Sequence, residues 1–490
     1  MILAIDQGTT GTTCLVFDGD GRIRGRAYSE FRQHFPRPGW VEHDPNEIWE
    51  VTRRVASHAL ADARADPASL DAIGITNQRE TVVAWDPSTG EPVHNALVWQ
   101  DRRTAARCDE LREAGHEPLV RERTGLVLDP YFSGTKIEWL LRNVEEARGA
   151  IFGTVDSWLV FKLTGRHATD LSNASRTMLF DIGERRWDPE LCGLLGVDPE
   201  RLPEPMPSAG IFGTTSEFGG EIPVAGIAGD QQAALFGQGC AHPGMAKNTY
   251  GTGSFVLLNA GERLPAPADG LLTTIAWELD GRITYALEAA VFVTGAAVQW
   301  LRDGLGLVAE AAETEGMAAS LESNDDVYFV PALTGLGSPY WDPYARGTIV
   351  GLTRGTSRAH LARAALEGIA YQTVDAVRAQ ERVAGKPLSE LRADGGAVAN
   401  RWLMQFQADV LGAPVIVPEI PETTALGAAY LAGIGSGRWT VEQVGEMWGE
   451  AARYEPRMAE SERERLLGRW ADAVARARGW ARPEPAGDGA

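Results

Sequence analysis

Short apolar runs bounded by turn residues alternate along the chain with longer segments of helical periodicity, which predicts strands and helices in succession. Ile2–Asp6 predicts a first strand running into a polar loop, Gln7–Thr13, and Cys14–Asp18 predicts a second. Asp18-Gly19-Asp20-Gly21 is a hairpin signal, and Arg22–Ser29 returns as a third strand, so a hairpin rather than a helix follows the glycine-bearing loop. Pro45–Ala63 has a helical stripe with Trp49, Val51 and Val55 inward and Asp44 as N-cap. Ala72–Asn77 and Val82–Trp85 read as strands, Phe132–Asn143 and Asp156–Leu163 as helices.

Ile222–Gly229 predicts another strand, ending in a loop Gly229–Gln232 before a helix Ala233–Gly239. Lys247–Asn259 repeats the opening layout: apolar strand, Gly/Thr turn, apolar strand. This is a weak internal repeat of two related lobes. Beyond it the pattern predicts a helix Ala289–Asp303, a strand Val327–Val330, a helix His360–Glu381 and a strand Ser389–Asp394. A helix from about Asn400 to Leu411, a largely helical Thr440–Arg478 and a disordered tail over 482–490 complete it. The expected fold is α/β: two lobes, 1–242 and 243–481, each a mixed sheet flanked by helices, facing one another across a cleft.

A length of 490 residues exceeds what one core serves, and 44% hydrophobic residues supply enough apolar material for two. The net charge of −21 repels duplex nucleic acid and anionic membrane surfaces, so neither is an expected partner. A phosphate ligand would have to be held locally, by backbone N–H groups and hydroxyls. The cysteines Cys14, Cys108, Cys192 and Cys240 form no C-x-x-C pair and no metal spacing, and read as reduced and structural. The chain opens directly on an apolar strand, and Ala289–Val298 is about half a membrane span. The expectation is a cytoplasmic protein.

Five motifs carry possible chemistry. In Asp6-Gln7-Gly8-Thr9-Thr10-Gly11-Thr12-Thr13, glycines admit a phosphate to the backbone, threonines add hydroxyls, and Asp6 can anchor Mg²⁺ through water. Taken alone it is also a plain hairpin turn. It is neither a P-loop nor a G-x-G-x-x-G opening a helix. Tyr250-Gly251-Thr252-Gly253-Ser254 is a second such turn, and two in similar settings would grip a triphosphate from both sides. Arg392–Asn400, a strand ending in Gly395-Gly396, allows a flat ring against the backbone, with Asn400 placed to hydrogen-bond a nucleobase edge; taken in isolation the segment favours an ordinary tight strand–helix turn. Arg79 and Glu80 offer a donor fork and an acceptor pair suited to a polyol, or a solvated ion pair. Asp230, in Ala228–Gln232, is placed to take a hydroxyl proton, although on its own the segment favours Asp230 as a helix N-cap.

The chain resembles the FGGY carbohydrate kinase family from Ile2 to about Trp480. The resemblance is carried by AIDQGTT, PGWVEHDP (Pro38–Pro45), GITNQRET (Gly74–Thr81), GLVLDPYFSGTK (Gly125–Lys136), NASRTMLF (Asn173–Phe180) and GIAGDQQAALFGQ (Gly226–Gln238). MAKNTYGTG (Met245–Gly253), TGLGSPYWDPYARG (Thr334–Gly347), DGGAVAN and TALGAAYLAG (Thr424–Gly433) extend it. PYFSGTK, ITNQRE and GDQQ point to the branch that phosphorylates glycerol rather than pentuloses. The resemblance implies an actin-like (ribonuclease H-like) fold and an ATP- and Mg²⁺-dependent kinase, with Asp230 as general base. It implies Arg79, Glu80, Tyr131, Asp230 and Gln231 on the polyol hydroxyls and Trp99 and Phe255 over its carbons. Thr9, Thr10, Gly11 and Thr252 would meet the phosphates, Gly295, Gln299, Gly396 and Asn400 the nucleotide, and Asp6 the metal. Members are often homodimers or homotetramers. Members commonly carry Arg where this chain has Thr13, so Thr13 is left out of the site. Rival readings are a kinase of another small polyol or ketose, and an actin-like ATPase with no small acceptor.

Overall fold

A computed structural model of the chain describes residues 1–481; the tail expected over 482–490 lies outside the described residues. Two mixed sheets form the frame. The first contains β1 (Ile2–Gln7), β2 (Gly11–Phe17), β3 (Ile23–Glu30), β4 (Ala72–Asn77), β5 (Ala209–Thr215) and β6 (Ile222–Gly229), in the order β5-β6-β4-β1-β2-β3. The second contains β7 (Met245–Tyr250), β8 (Ser254–Gly261), β9 (Leu272–Leu279), β10 (Arg282–Val291), β11 (Glu390–Gly395), β12 (Val415–Pro418) and β13 (Glu450–Tyr454). Its order is β9-β10-β8-β7-β11-β12-β13. Along β3-β2-β1-β4-β6-β5 the pairs run antiparallel, antiparallel, parallel, parallel, antiparallel. The same succession holds along β10-β8-β7-β11-β12-β13. The two Gly/Thr hairpins are therefore the visible part of a duplicated sheet, with β9 as an added edge. The architecture is the two-lobed α/β one expected.

Helices cover both sheets. α1 (Pro45–Asp62) starts where Asp44 accepts a hydrogen bond from the Asn46 N–H, and it buries Trp49, Val51 and Val55 as its periodicity predicts. α2 (Ser133–Asn143) and α3 (Val155–Thr164) follow, then α4 (Asp230–Gly237), α5 (Gly295–Gln299), α6 (Arg358–Ala384), α7 (Arg401–Leu411), α8 (Thr423–Gly435) and α9 (Glu460–Ala477). α1 and α3 close one face of the first sheet; α6, α7 and α9 close one face of the second. A third core lies between the sheets, where Ile2, Ala4 and Phe17 meet Leu235 and Phe236 of α4, Leu257 of β8 and Leu431 of α8. Each Ile, Leu or Phe among them, taken fully out of water, stabilises the fold by about 1.5–3 kcal/mol. α8 comes from the second half of the sequence yet rests on β1, β4 and β6. It can do so because it crosses α4 at backbone distance: a Cβ on Gly427 would stand 1.9 Å from the Ala233 carbonyl oxygen.

Four expectations are corrected. The loop Gln7–Thr13 is shorter, because Gly11–Thr13 already pair in β2 and the turn closes by a Gly8 N–H to Gly11 C=O bond of 2.9 Å. The expected helix Ala289–Asp303 is split: Ala289–Val291 end β10, paired with β8, and α5 begins only after Thr294. A continuous apolar run satisfies a strand buried on both faces as well as a helix, and the neighbouring strand decided it. Within Thr440–Arg478 the strand β13 interrupts the helices Val441–Met447 and α9. The helix expected at Ala233 begins at Asp230, with Gly229 as its N-cap, so Asp230 is not the cap that its local sequence favoured.

No helix among the described residues is long and apolar enough to cross a membrane. All four cysteines are buried and free.

Candidate active site

β1, β4 and β6 end side by side, with Gln7 paired to Asn77 and Gly229 also paired to Asn77, so the loops that follow all emerge at one edge. The Gly8–Thr10 turn is held from below by amides. Gln78 donates through Nε2 to Gln7 Oε1 (3.1 Å) and to the Gly8 carbonyl (3.2 Å), and its Oε1 accepts from Thr81 (2.9 Å). Gln33 donates to the Thr9 carbonyl at 2.9 Å, and the Trp99 indole donates to Thr9 Oγ1 at 2.8 Å. Trp99 in turn stands edge-on to Tyr131, with ring centroids 5.6 Å apart. The expected phosphate turn and polyol residues are thus parts of one hydrogen-bonded body.

Beside it lies a closed ring of four buried charges, none with a side chain more than 2% exposed. Arg79 Nη1 meets Glu288 Oε2 at 2.6 Å, Arg176 Nη2 meets Glu288 Oε1 at 3.1 Å, and Arg176 Nε meets Glu80 Oε1 at 2.6 Å. Glu80 Oε1 returns to Arg79 Nε at 3.8 Å. Burial alone would raise the Glu288 carboxyl, but Arg176 and Arg79 override it and hold it down at about 2. Glu80 sits in the left-handed backbone region at φ 62°, with its carbonyl accepting from Ser133. Such a conformation costs about 1–3 kcal/mol and persists where the surroundings over-determine it.

Asp230, at the first turn of α4, faces this ring. Its Oδ1 meets Arg79 Nε at 3.1 Å and accepts from the Gln231 N–H at 2.7 Å, and its side chain remains 34% exposed. Burial, then the neighbouring charge of Asp230, pushes the Asp6 carboxyl up to about 7, so these two carboxylates share one electrostatic neighbourhood. Lys247, on β7, donates to Gln231 Oε1 and to Thr249 Oγ1 (3.0 Å). Burial lowers its ammonium to about 8, against the pull of Asp394, Asp230 and Glu288. Phe255 lies on β8 opposite Thr249, on the sheet face that carries Lys247.

The remaining residues expected at the nucleotide are held by contacts of their own. The turn bearing Thr252 is seated on the start of α5: Gly295 N–H donates to the Gly251 carbonyl (3.0 Å) and Ala296 N–H to that of Thr252 (3.1 Å). A Cβ on Gly295 would come within 2.6 Å of the Gly251 oxygen, so glycine is required there. Gln299 closes α5 and is exposed, as are Thr10, Thr252 and Gly396. Asn400 caps α7, accepting from Leu403 N–H at 2.9 Å and donating to Thr314 at 3.3 Å, which leaves its amide partly committed to the fold.

Glu288, Arg176, Lys247 and Gln78 join the expected residues without having been singled out. Glu288 did carry a signal, since it interrupts the apolar run Ala286–Val291 of β10.

The FGGY family of carbohydrate kinases matches this chain with its N-terminal domain over residues 1–237 and its C-terminal domain over 246–436. Glycerol kinase 2 of Thermotoga maritima is 56% identical over 490 residues, covering 98% of this chain and 99% of that protein. The glycerol kinase of Deinococcus radiodurans is 55% identical over 491 residues, 98% of each chain. Among solved structures, that of Plasmodium falciparum glycerol kinase with ADP superposes with a TM-score of 0.94 at 35% identity, over 97% of this chain and 98% of that one.

Proposed function

The chain belongs to the FGGY family of carbohydrate kinases, and from that premise we propose that it transfers the γ-phosphoryl group of ATP to a terminal hydroxyl of glycerol, giving sn-glycerol 3-phosphate and ADP. The observation that carries the reading is the Asp230 carboxylate standing 3.1 Å from Arg79, whose guanidinium also meets Glu80 and Tyr131.

Glycerol presents three adjacent hydroxyls, and each needs both donors and acceptors. Glu80 and Asp230 accept; Gln231 and Arg79 donate. The Arg79 Nη2 group is the most weakly held, at 3.3 Å from Glu288 and 3.5 Å from Tyr131, and is the donor a substrate hydroxyl would take over. Trp99 and Phe255 supply apolar walls for the carbon chain. Asp230 Oδ1 is already engaged, so Oδ2 receives the proton of the terminal hydroxyl as its oxygen forms the bond to the γ-phosphorus and the bond to the β–γ bridging oxygen breaks. A positioned base gives about 10²–10⁴-fold. Alignment and charge neutralisation provide most of the rest. Thr9, Thr10, Gly11 and Thr252 hold the phosphates, Gly295, Gln299, Gly396 and Asn400 the nucleoside side. The paired neighbourhood of Asp6 and Asp230 fits a divalent cation that retains waters. Asp6 would hold Mg²⁺, which when bound would supply positive charge to the phosphate oxygens. Closure of the lobes excludes water that would otherwise take the phosphoryl group.

Steady-state phosphorylation of glycerol, xylulose, erythritol and gluconate by the full chain with MgATP tests the reading. The highest kcat/KM is expected for glycerol. A higher value for any of the others overturns the substrate, and polyol-independent ATP hydrolysis at the same rate overturns the kinase.

A further inference from the structure

Two fully buried charges of the second sheet have no part in the reaction just described, yet both reach across to the first half of the chain. Lys247 of β7 and Glu288 of β10 flank Leu257 of β8 in register, so the three side chains form one row on the face turned toward α4. On the reading of Arg79, Asp230 and Gln231 as the polyol-binding set, we infer that Glu288 and Lys247 are positioning residues that set this pocket from the opposite lobe.

Each grips one member of the set. Glu288 uses both oxygens on guanidinium groups: Oε2 on Arg79 Nη1 at 2.6 Å, Oε1 on Arg79 Nη2 at 3.3 Å and on Arg176 Nη2 at 3.1 Å. It is thereby the counter-ion that keeps two buried arginines side by side. Without its charge the arginines repel, and the nearest alternative partner for Arg79 is Asp230, 3.1 Å from its Nε. Arg79 would turn from the polyol toward the carboxylate that must stay open to the hydroxyl. Lys247 acts on the amide of Gln231. By donating to Oε1 it fixes which end of the amide is occupied, and leaves the Nε2 donor for a ligand. A methionine there fills the space but lets the amide flip. Both effects act on polyol binding and geometry rather than on the nucleotide, because the Thr252 turn is held by α5 through separate hydrogen bonds. A misplacement of about 1 Å in a substrate-positioning group can cost about 10²-fold.

The test is steady-state kinetics of wild type, Glu288→Gln and Lys247→Met in both substrates, with Tm and active-site titration on each preparation. Expected are a KM for glycerol raised by about 10- to 100-fold in Glu288→Gln and about tenfold in Lys247→Met, with the KM for ATP within about twofold. A merely structural role would lower Tm and the active fraction while leaving both KM values in place, and would overturn the inference; so would parallel rises in the two KM values. Should Glu288→Gln not fold, Lys247→Met, which disturbs two neutral acceptors, Gln231 and Thr249, rather than the ring, decides alone. A wild-type protein that does not phosphorylate glycerol removes the underlying reading instead, and is recognised before either variant is compared.

Discussion

Replacing Asp230 by Asn removes the proton-accepting oxygen while keeping the hydrogen bonds that the side chain accepts. The isostere keeps the start of α4, whose cap is Gly229, and its carbonyl oxygen can still accept from Gln231 N–H (2.7 Å) and Arg79 Nε (3.1 Å). What changes is the other terminal atom: an oxygen able to receive a proton becomes an N–H₂ that can only donate. The expected loss in kcat is about 10²–10⁴-fold, equivalent to about 3–5 kcal/mol in barrier height. Binding should survive, since Glu80, Gln231 and the Arg79 fork are untouched. The assay is kcat at saturating glycerol and MgATP, paired with the glycerol-induced rise in Tm as a measure of binding. A kcat within tenfold of wild type, or a lost thermal shift with kcat retained, would refute Asp230 as the base.

Arg79→Ala should raise the KM for glycerol with that for ATP kept, and should also lower Tm, because truncating one partner of a buried ion pair costs about 3–5 kcal/mol; an unchanged Tm would mean that the ring is not load-sharing. Gly295→Ala should raise the KM for ATP and spare that for glycerol, because its Cβ would press on the Gly251 carbonyl 2.6 Å away and displace the Thr252 turn; a glycerol-specific effect would separate that turn from the nucleotide. Burial raises the Asp375 carboxyl to about 6, even though Trp470 and Tyr340 both donate to it. Its folded value exceeds the ordinary one near 3.8, so its stabilising contribution is full below about pH 4 and is lost as pH rises through about 6. Asp375→Asn, which still accepts both bonds, should therefore raise Tm at pH 8 and leave it little changed at pH 4; a lower Tm at pH 8 contradicts this.

Local pattern made the outer frame readable. Ala72–Asn77 and Ile222–Gly229 are strands over the full lengths expected, and Asp44 caps α1, because these features depend on side chains a few residues apart. Ala289–Val291 departs from the expected helix because the strand that decides it, β8, is more than thirty residues away in sequence. The duplicated sheets were visible only at their Gly/Thr hairpins, since β-sheet order depends on partners that no window contains. Arg79 and Glu80 could be named as candidates, but not the ring that sets their geometry. Arg176 and Glu288 are separated from them by 96 and 209 positions, and only tertiary packing makes them neighbours.

The seating of α8 on the first sheet has a consequence for how the protein is made. Ribosomes deliver β1–β6 nearly two hundred residues before Thr423–Gly435, the segment that shields their inner face. Until that segment emerges, Ile2, Ala4, Ala72 and Ala228 have no helical cover from it, and the nascent half is a sticky intermediate rather than a finished unit. Expressed alone, a fragment ending near residue 242 should aggregate, and adding the complementary fragment in trans should recover soluble material.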